Sequence, residues 1–134
     1  MKWILKIFSL SLLLQSFECS DPKAVEDTNS NNLIVTPESL KKAEQEIQNY
    51  INSFPCSETA GCGFIAFGDK PCGGSRKYLL FSNSVDLVKL KQMVNTYNEA
   101  DNAYNIKTGA ISDCMYAMPP TEVKCVNGVC TIIK

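Results

Sequence analysis

The sequence predicts a small disulfide-stapled α+β domain. Its elements run in the order α-β-β-α-β-β, with two helices packed on an antiparallel sheet. Three observations carry this prediction. Two segments repeat apolar residues at intervals of three and four, the period of an amphipathic helix. Each segment is followed by a pair of short runs rich in aromatic and β-branched residues, the composition of strands. Six cysteines, Cys56, Cys62, Cys72, Cys114, Cys125 and Cys130, fall across these elements in a chain that begins like an exported protein. Export makes them disulfide partners before metal ligands or redox catalysts.

The export signal is assigned to residues 1–18. Met1-Lys2-Trp3-Ile4-Leu5-Lys6 is a basic start, and Ile7 to Leu14 is a short apolar run. Together they make the n-region and h-region of a signal peptide, too short to anchor in a bilayer. Cys19 stands where a lipoprotein signal would be cut, although Glu18 is larger than the residue usual before that bond. Cleavage after Ser16 is the rival. Parity favours lipidation: with Cys19 lipidated, the other six cysteines can form three bridges. A diacylglyceryl-type anchor is enough for stable membrane attachment.

Residues 19–35 read as a flexible spacer. Asp21 to Asn32 has one Val and no aromatic residue, too little apolar surface to order a chain. Leu33-Ile34-Val35 is either a short edge strand or an apolar lead into the next helix. Residues 36–134 then form one domain with a modest core. The formal net charge of −1 gives no electrostatic case for binding nucleic acid.

The first helix opens with Thr36 as N-cap, Pro37 at the first helical position and Glu38 in the first turn. Leu40, Ala43, Ile47, Tyr50, Ile51 and Phe54 form its apolar face, and Pro55 ends it. Phe64-Ile65-Ala66-Phe67 and Tyr78-Leu79-Leu80-Phe81 are the first two strands. Their continuous apolar runs predict cover on both faces. Gly68 to Ser75 is the loop between them. The second helix is expected to start at Ser84 as N-cap, with Asp86 in its first turn, and to stop at Thr108-Gly109. Its stripe is Leu87, Leu90, Val94, Tyr97, Ala100 and Tyr104. The polar run from Asn98 to Asn105 suggests that its far half lies at the surface. Pro119-Pro120 makes the following segment extended. Asn127-Gly128 between β-branched residues is a strong signal for a type I′ hairpin.

Chain direction predicts one bridge. Strand 2 leaves the Gly68–Ser75 loop, and a helix of about 20 residues runs back about 30 Å. This returns the chain to the loop and predicts Cys72–Cys114. Cys56–Cys62 and Cys125–Cys130 are the expected remaining pairs. Across an Asn127-Gly128 turn, Cys125 and Cys130 form a non-hydrogen-bonded pair about 4.5 Å apart, within disulfide range. The alternative is that both point to one face and staple the hairpin to other elements.

The chain has no histidine, so Ser-His-Asp and Cys-His catalysis are excluded. The cysteine spacing contains no C-x-x-C pair, and no metal or other cofactor is expected. Asp69, Asp101, Asp113 and Glu122 leave a paired-carboxylate hydrolase formally open, but no spacing singles out a pair. One loop is a candidate binding site: Asp69, Lys70, Gly73, Gly74, Arg76 and Lys77 around Cys72. Glycines expose backbone N–H groups and three cations flank them, as in an anion-binding nest. The alternative is a rigid loop whose glycines adopt positive φ beside a bridged Cys72.

Cys62 to Ser75 (Cys-Gly-Phe-Ile-Ala-Phe-Gly-Asp-Lys-Pro-Cys-Gly-Gly-Ser), then Tyr78-Leu79, Tyr97-Asn98, Ala103-Tyr104-Asn105 and Ser112-Asp113-Cys114, resemble a group of small bacterial exported proteins and lipoproteins. Those have a Cys-Gly-Gly-Pro loop before an aromatic strand and a long helix; Ser75 replaces the Pro here. Cys19-Ser20-Asp21 is similar to the start of surface lipoproteins of the Bacteroidota. The resemblance implies export and a disulfide framework, and assigns no activity. The expected function is a non-enzymatic binding domain of the cell envelope, lipid-anchored or else secreted or periplasmic, whose partner is another extracytoplasmic protein. One version is a protease-inhibitor-like loop at Asp69–Arg76. The alternative is a small-ligand or anion binder, or a hydrolase, using the 69–77 loop.

Overall fold

A computed structural model describes residues 34–133. The signal segment, Cys19 and all of the spacer before Ile34 lie outside the described residues. The elements are α1 (Pro37–Asn52), β1 (Cys62–Phe67), β2 (Lys77–Ser82), α2 (Leu87–Thr108), β3 (Val123–Val126) and β4 (Val129–Ile132), in the expected order.

α1 begins as its sequence dictates. The Thr36 side chain accepts a hydrogen bond from the Ser39 N–H at 3.1 Å, and Ser39 Oγ accepts one from the Thr36 N–H at 2.9 Å. This reciprocal capping box satisfies two amides that would otherwise lack partners. The helix ends at Asn52, before Pro55, with Ser53 as C-cap. Ile34 and Val35 form no strand, and Val35 packs against the core as the chain enters α1.

α2 starts later than expected. Its N-cap is Asp86, whose side chain accepts from the Val88 and Lys89 amides at 3.0 and 3.1 Å. Ser84 is instead held in the turn after β2, where its own N–H donates to Ser82 Oγ at 3.2 Å. Both residues have N-cap chemistry, and the turn that closes on Ser82 decides between them. Leu87, placed in the apolar stripe, is 41% exposed because the helix packs from Leu90 onward. Gly109 ends α2 in the left-handed conformation (φ 61°), as the Thr108-Gly109 pair predicts.

β1 and β2 pair antiparallel, from Cys62 opposite Ser82 to Phe67 opposite Lys77. Alternation sends Ile65, Phe67, Leu79 and Phe81 toward the helices. They meet Leu40, Ile47, Ile51, Leu90, Val94 and Tyr97 in a single core. Phe67 stacks on Tyr97 with ring centroids 4.1 Å apart. The opposite face carries Phe64 and Tyr78, edge to face at 5.6 Å. Phe64 remains 42% exposed, so the continuous apolar run did not mean full cover on both sides.

The second hairpin has the predicted register, with Val126 opposite Val129 and Cys125 opposite Cys130. Asn127 and Gly128 both take positive φ (50° and 80°), which a type I′ turn requires. The four strands form two separate two-stranded sheets, β1-β2 and β3-β4. The β3–β4 hairpin packs against β1 and β2 and is tied by disulfides rather than joined by a ladder.

All six cysteines are bridged, and Cys72–Cys114 is as expected. The other two pairings are not: the bonds are Cys56–Cys125 and Cys62–Cys130. Cross-strand partners in one hairpin point to the same face, so Cys125 and Cys130 both reach the chain beneath them. A local Cys125–Cys130 bond would restrict a hairpin already closed by its turn. The observed bonds link residues 69 and 68 positions apart and restrict the unfolded chain more strongly. A hydrogen bond from the Cys56 N–H to the Gly128 carbonyl (3.1 Å) fixes the same contact through the backbone.

Candidate functional site: the bridged loops

The 69–77 loop is anchored inward by a polar network on α2. Leu90, Val94, Tyr97, Asp101 and Asn105 form one buried stripe at helical spacing. Its first three residues meet the apolar core. Its last two meet the loop, with Asp101 3% and Asn105 5% exposed. Most of the polar far half of α2 lies at the surface, as its composition suggested, with Glu99, Asn102, Ala103, Lys107 and Thr108 exposed, while Asp101 and Asn105 turn inward as the seat of the loop.

Asp101 accepts from Arg76 Nε at 2.8 Å, from Arg76 Nη2 at 3.1 Å and from the Asp69 N–H at 2.8 Å. Asn105 accepts from Arg76 Nη2 at 3.0 Å, and its Nδ2 donates to the Asp69 carbonyl at 2.8 Å. Asn98 accepts from the Gly68 N–H at 2.8 Å. A buried carboxylate is tolerable only with charge-assisted partners of this kind. The hydrogen bond to Asp101 raises the Arg76 pKa above its ordinary value and so favours the charged guanidinium. Burial, helped by the nearby Asp101 charge, pushes the Tyr97 phenol up to about 12.

The three loop cations each meet a carboxylate. Arg76 pairs with Asp101, Lys70 with Asp113 at 2.9 Å, and Lys77 with Glu44 on α1 at 2.5 Å. Several loop amides are also engaged within the protein. The Lys70 N–H donates to the Gly74 carbonyl and the Gly73 N–H to the Lys70 carbonyl. Gly73 and Gly74 have φ of 88° and 84°, a conformation that favours glycine. Each cation of the loop beside Cys72 thus faces a carboxylate of the same chain. Among the carboxylates considered for chemistry, Asp101, Asp113 and Glu122 each pair with a cation, the last with Lys124 at 2.8 Å.

A second segment rests on this platform. Residues 110–120 have no regular secondary structure. They are fixed to the loop by Cys72–Cys114 and by Lys70 Nζ, which donates to Asp113 Oδ1 at 2.9 Å and to the Met115 carbonyl at 2.5 Å. Lys70 holds the Asp113 carboxyl below its ordinary pKa, first through that hydrogen bond and then with the Met115 amide. Ile111, Met115, Tyr116 and Met118 on this strap are 95%, 70%, 76% and 80% exposed. Sequence reading treated the strap only as a connection. Its signal was the clustering of four large apolar residues in a segment with neither helical nor strand period.

The Sγ atoms of Cys56, Cys62 and Cys130 lie within 4.8 Å of one another because two bridges run side by side. All three sulfurs are in disulfide bonds and offer no thiolate to a metal.

Fold and site together define a small disulfide-rich α+β domain that carries four exposed apolar side chains on a pinned strap. No protein-family model, no curated protein and no solved structure matches the chain. Three disulfides mark an oxidising, extracytoplasmic environment. No described helix is long and apolar enough to cross a membrane.

Proposed function

We propose that this protein is a non-enzymatic interaction domain of the cell envelope, tethered by lipid at Cys19, that binds another extracytoplasmic protein through the 111–118 strap. One observation carries the reading: Ile111, Met115, Tyr116 and Met118 are 70–95% exposed on a segment that a disulfide and Lys70 hold in place. Isolated exposed apolar residues are ordinary on any protein. Four on one pinned segment resemble the anchors of a protein interface, where a backbone held before binding has less ordering entropy to lose. The 69–77 loop, whose cations face carboxylates of the same chain, acts in this reading as the support of the strap rather than as an anion site.

The test is capture from native envelope extracts by the oxidised domain and by Tyr116→Asp and Met118→Asp variants that retain all three bridges and native circular dichroism. The expected result is a defined protein retained by the wild type and lost by both variants. Identical capture by all three proteins would reject the strap as the binding surface. The anchor is tested separately by labelled palmitate: Cys19→Ala should abolish incorporation, and equal labelling would remove the lipid.

A further inference from the structure

The three disulfides differ in their exposure to solvent. Cys56 is buried, and Cys62, Cys125 and Cys130 are partly buried where the second hairpin is bonded to β1 and the chain before it. Cys72 and Cys114 are both exposed, and their bridge joins two loops rather than two strands. The strap is also held in a conformation it would not choose freely. Cys114 has φ 53°, in the left-handed region that residues with a Cβ seldom occupy. Ser112 Oγ is buried without a hydrogen-bond partner. Nearby restraints are of two kinds. The Arg76–Asp101–Asn105 network holds the 68–76 loop without help from the bridge, and the other two disulfides hold β3–β4. Between Ala110 and Thr121 the strap is joined to the loop by Cys72–Cys114 and the contacts of Lys70, and Tyr116 lies against Gly74.

We infer that Cys72–Cys114 is a redox clasp, opened by an extracytoplasmic protein dithiol before either of the other bridges, and that opening it releases the strap. The thiolate of the dithiol attacks one sulfur of this exposed pair of cysteines, forming a mixed disulfide and expelling the other cysteine as a thiolate, which takes up a proton. The second thiol of the dithiol then displaces the first cysteine. Two electrons pass to the bridge: Cys72 and Cys114 become thiols and the dithiol becomes a disulfide. Access decides which bridge reacts, since the attacking thiolate must reach a sulfur in line. Cys114 can then leave the left-handed region, and Met115, Tyr116 and Met118 lose their fixed spacing. Control of binding by this step rests on the strap being the binding surface; selective reduction does not.

The experiment titrates the oxidised full chain with dithiothreitol, alkylates the free thiols and maps them by peptide mass spectrometry. Cys72 and Cys114 should label at a reductant concentration on the order of tenfold below that needed for the other four bridged cysteines. Labelling of Cys56, Cys62, Cys125 or Cys130 at the same or lower concentration would overturn the clasp. A Cys72→Ser/Cys114→Ser variant gives an independent reading by amide hydrogen exchange. The Met115 amide, which donates to Asp113 Oδ1 at 3.2 Å, should exchange faster, with α1 and α2 unchanged; unaltered exchange at Met115, or loss of protection throughout, would also overturn it. Selective labelling and local release, with partner capture unaffected by reduction, would leave the clasp standing and reject the strap as the binding surface.

Discussion

Removing the Asp101 carboxylate should loosen the loop platform and destabilise the domain far more than a residue in a polar helical run suggests. Asp101→Ala removes three hydrogen bonds, two from Arg76 and one from the Asp69 amide. Arg76 keeps a side chain that is 43% exposed, so water replaces much of its loss, and that half of the network is worth about 1 kcal/mol. The Asp69 amide loses a charged acceptor in a site where the carboxylate side chain is only 5% exposed, a loss of about 2 kcal/mol. The expected total is about 3 kcal/mol. For a domain of this size that lowers Tm by more than about 10 °C. Asp101→Asn retains one acceptor oxygen and should lose about half as much. Arg76→Ala leaves the carboxylate buried without its cation and should cost about 2 kcal/mol or more. Because the two residues share one interaction, Arg76→Ala/Asp101→Ala should fall short of the summed single effects by about 1–2 kcal/mol. Urea unfolding under oxidising conditions measures this, with m unchanged if the native and denatured states stay as compact. Native-state exchange should also show faster exchange at the Gly68 and Asp69 amides. Losses below about 0.5 kcal/mol for both Asp101 variants, additive with Arg76→Ala, would refute the network as the seat of the loop.

Two further outcomes follow from the same structure. Asp86→Ala should cost about 1 kcal/mol by removing the α2 cap, whereas Ser84→Ala should stay within about 0.5 kcal/mol, both read from urea midpoints. Tyr97, held up at about 12 in the fold, favours the neutral phenol that burial protects. Its contribution is therefore complete below the ordinary tyrosine pKa of about 10 and is lost as pH rises through the folded value. Stability should fall between roughly pH 10 and 12, and Tyr97→Phe should flatten that fall. Alkaline difference absorbance should show a late-titrating tyrosine in the wild type that is missing from the variant.

The sequence was most informative where the controlling physics is local. Thr36-Pro37 starts α1, Thr108-Gly109 stops α2, and Asn127-Gly128 turns β3 into β4, each through the dihedral and hydrogen-bonding needs of a few adjacent residues. Cys72–Cys114 was also legible, because a 22-residue helix of about 33 Å must bring the chain back to the loop it left. The candidate loop was visible as Asp69, Lys70, Gly73, Gly74, Arg76 and Lys77. Its orientation was not, since nothing local to Arg76 says that Asp101 and Asn105 lie beneath it.

Composition and periodicity thus determined the element order, the start of α1, the stop of α2, the Asn127-Gly128 turn and the six cysteines of an oxidised domain. Tertiary structure decided the rest. It stacked the second hairpin on the first, which turned two local disulfides into Cys56–Cys125 and Cys62–Cys130. It also buried Asp101 and Asn105 of α2 under a loop and left the apolar strap outside. A residue's type records what it can bond to. Which partner it meets depends on surfaces brought together by chain far away in sequence, and burial of Asp101 became possible only once Arg76 and the Asp69 amide arrived to satisfy it.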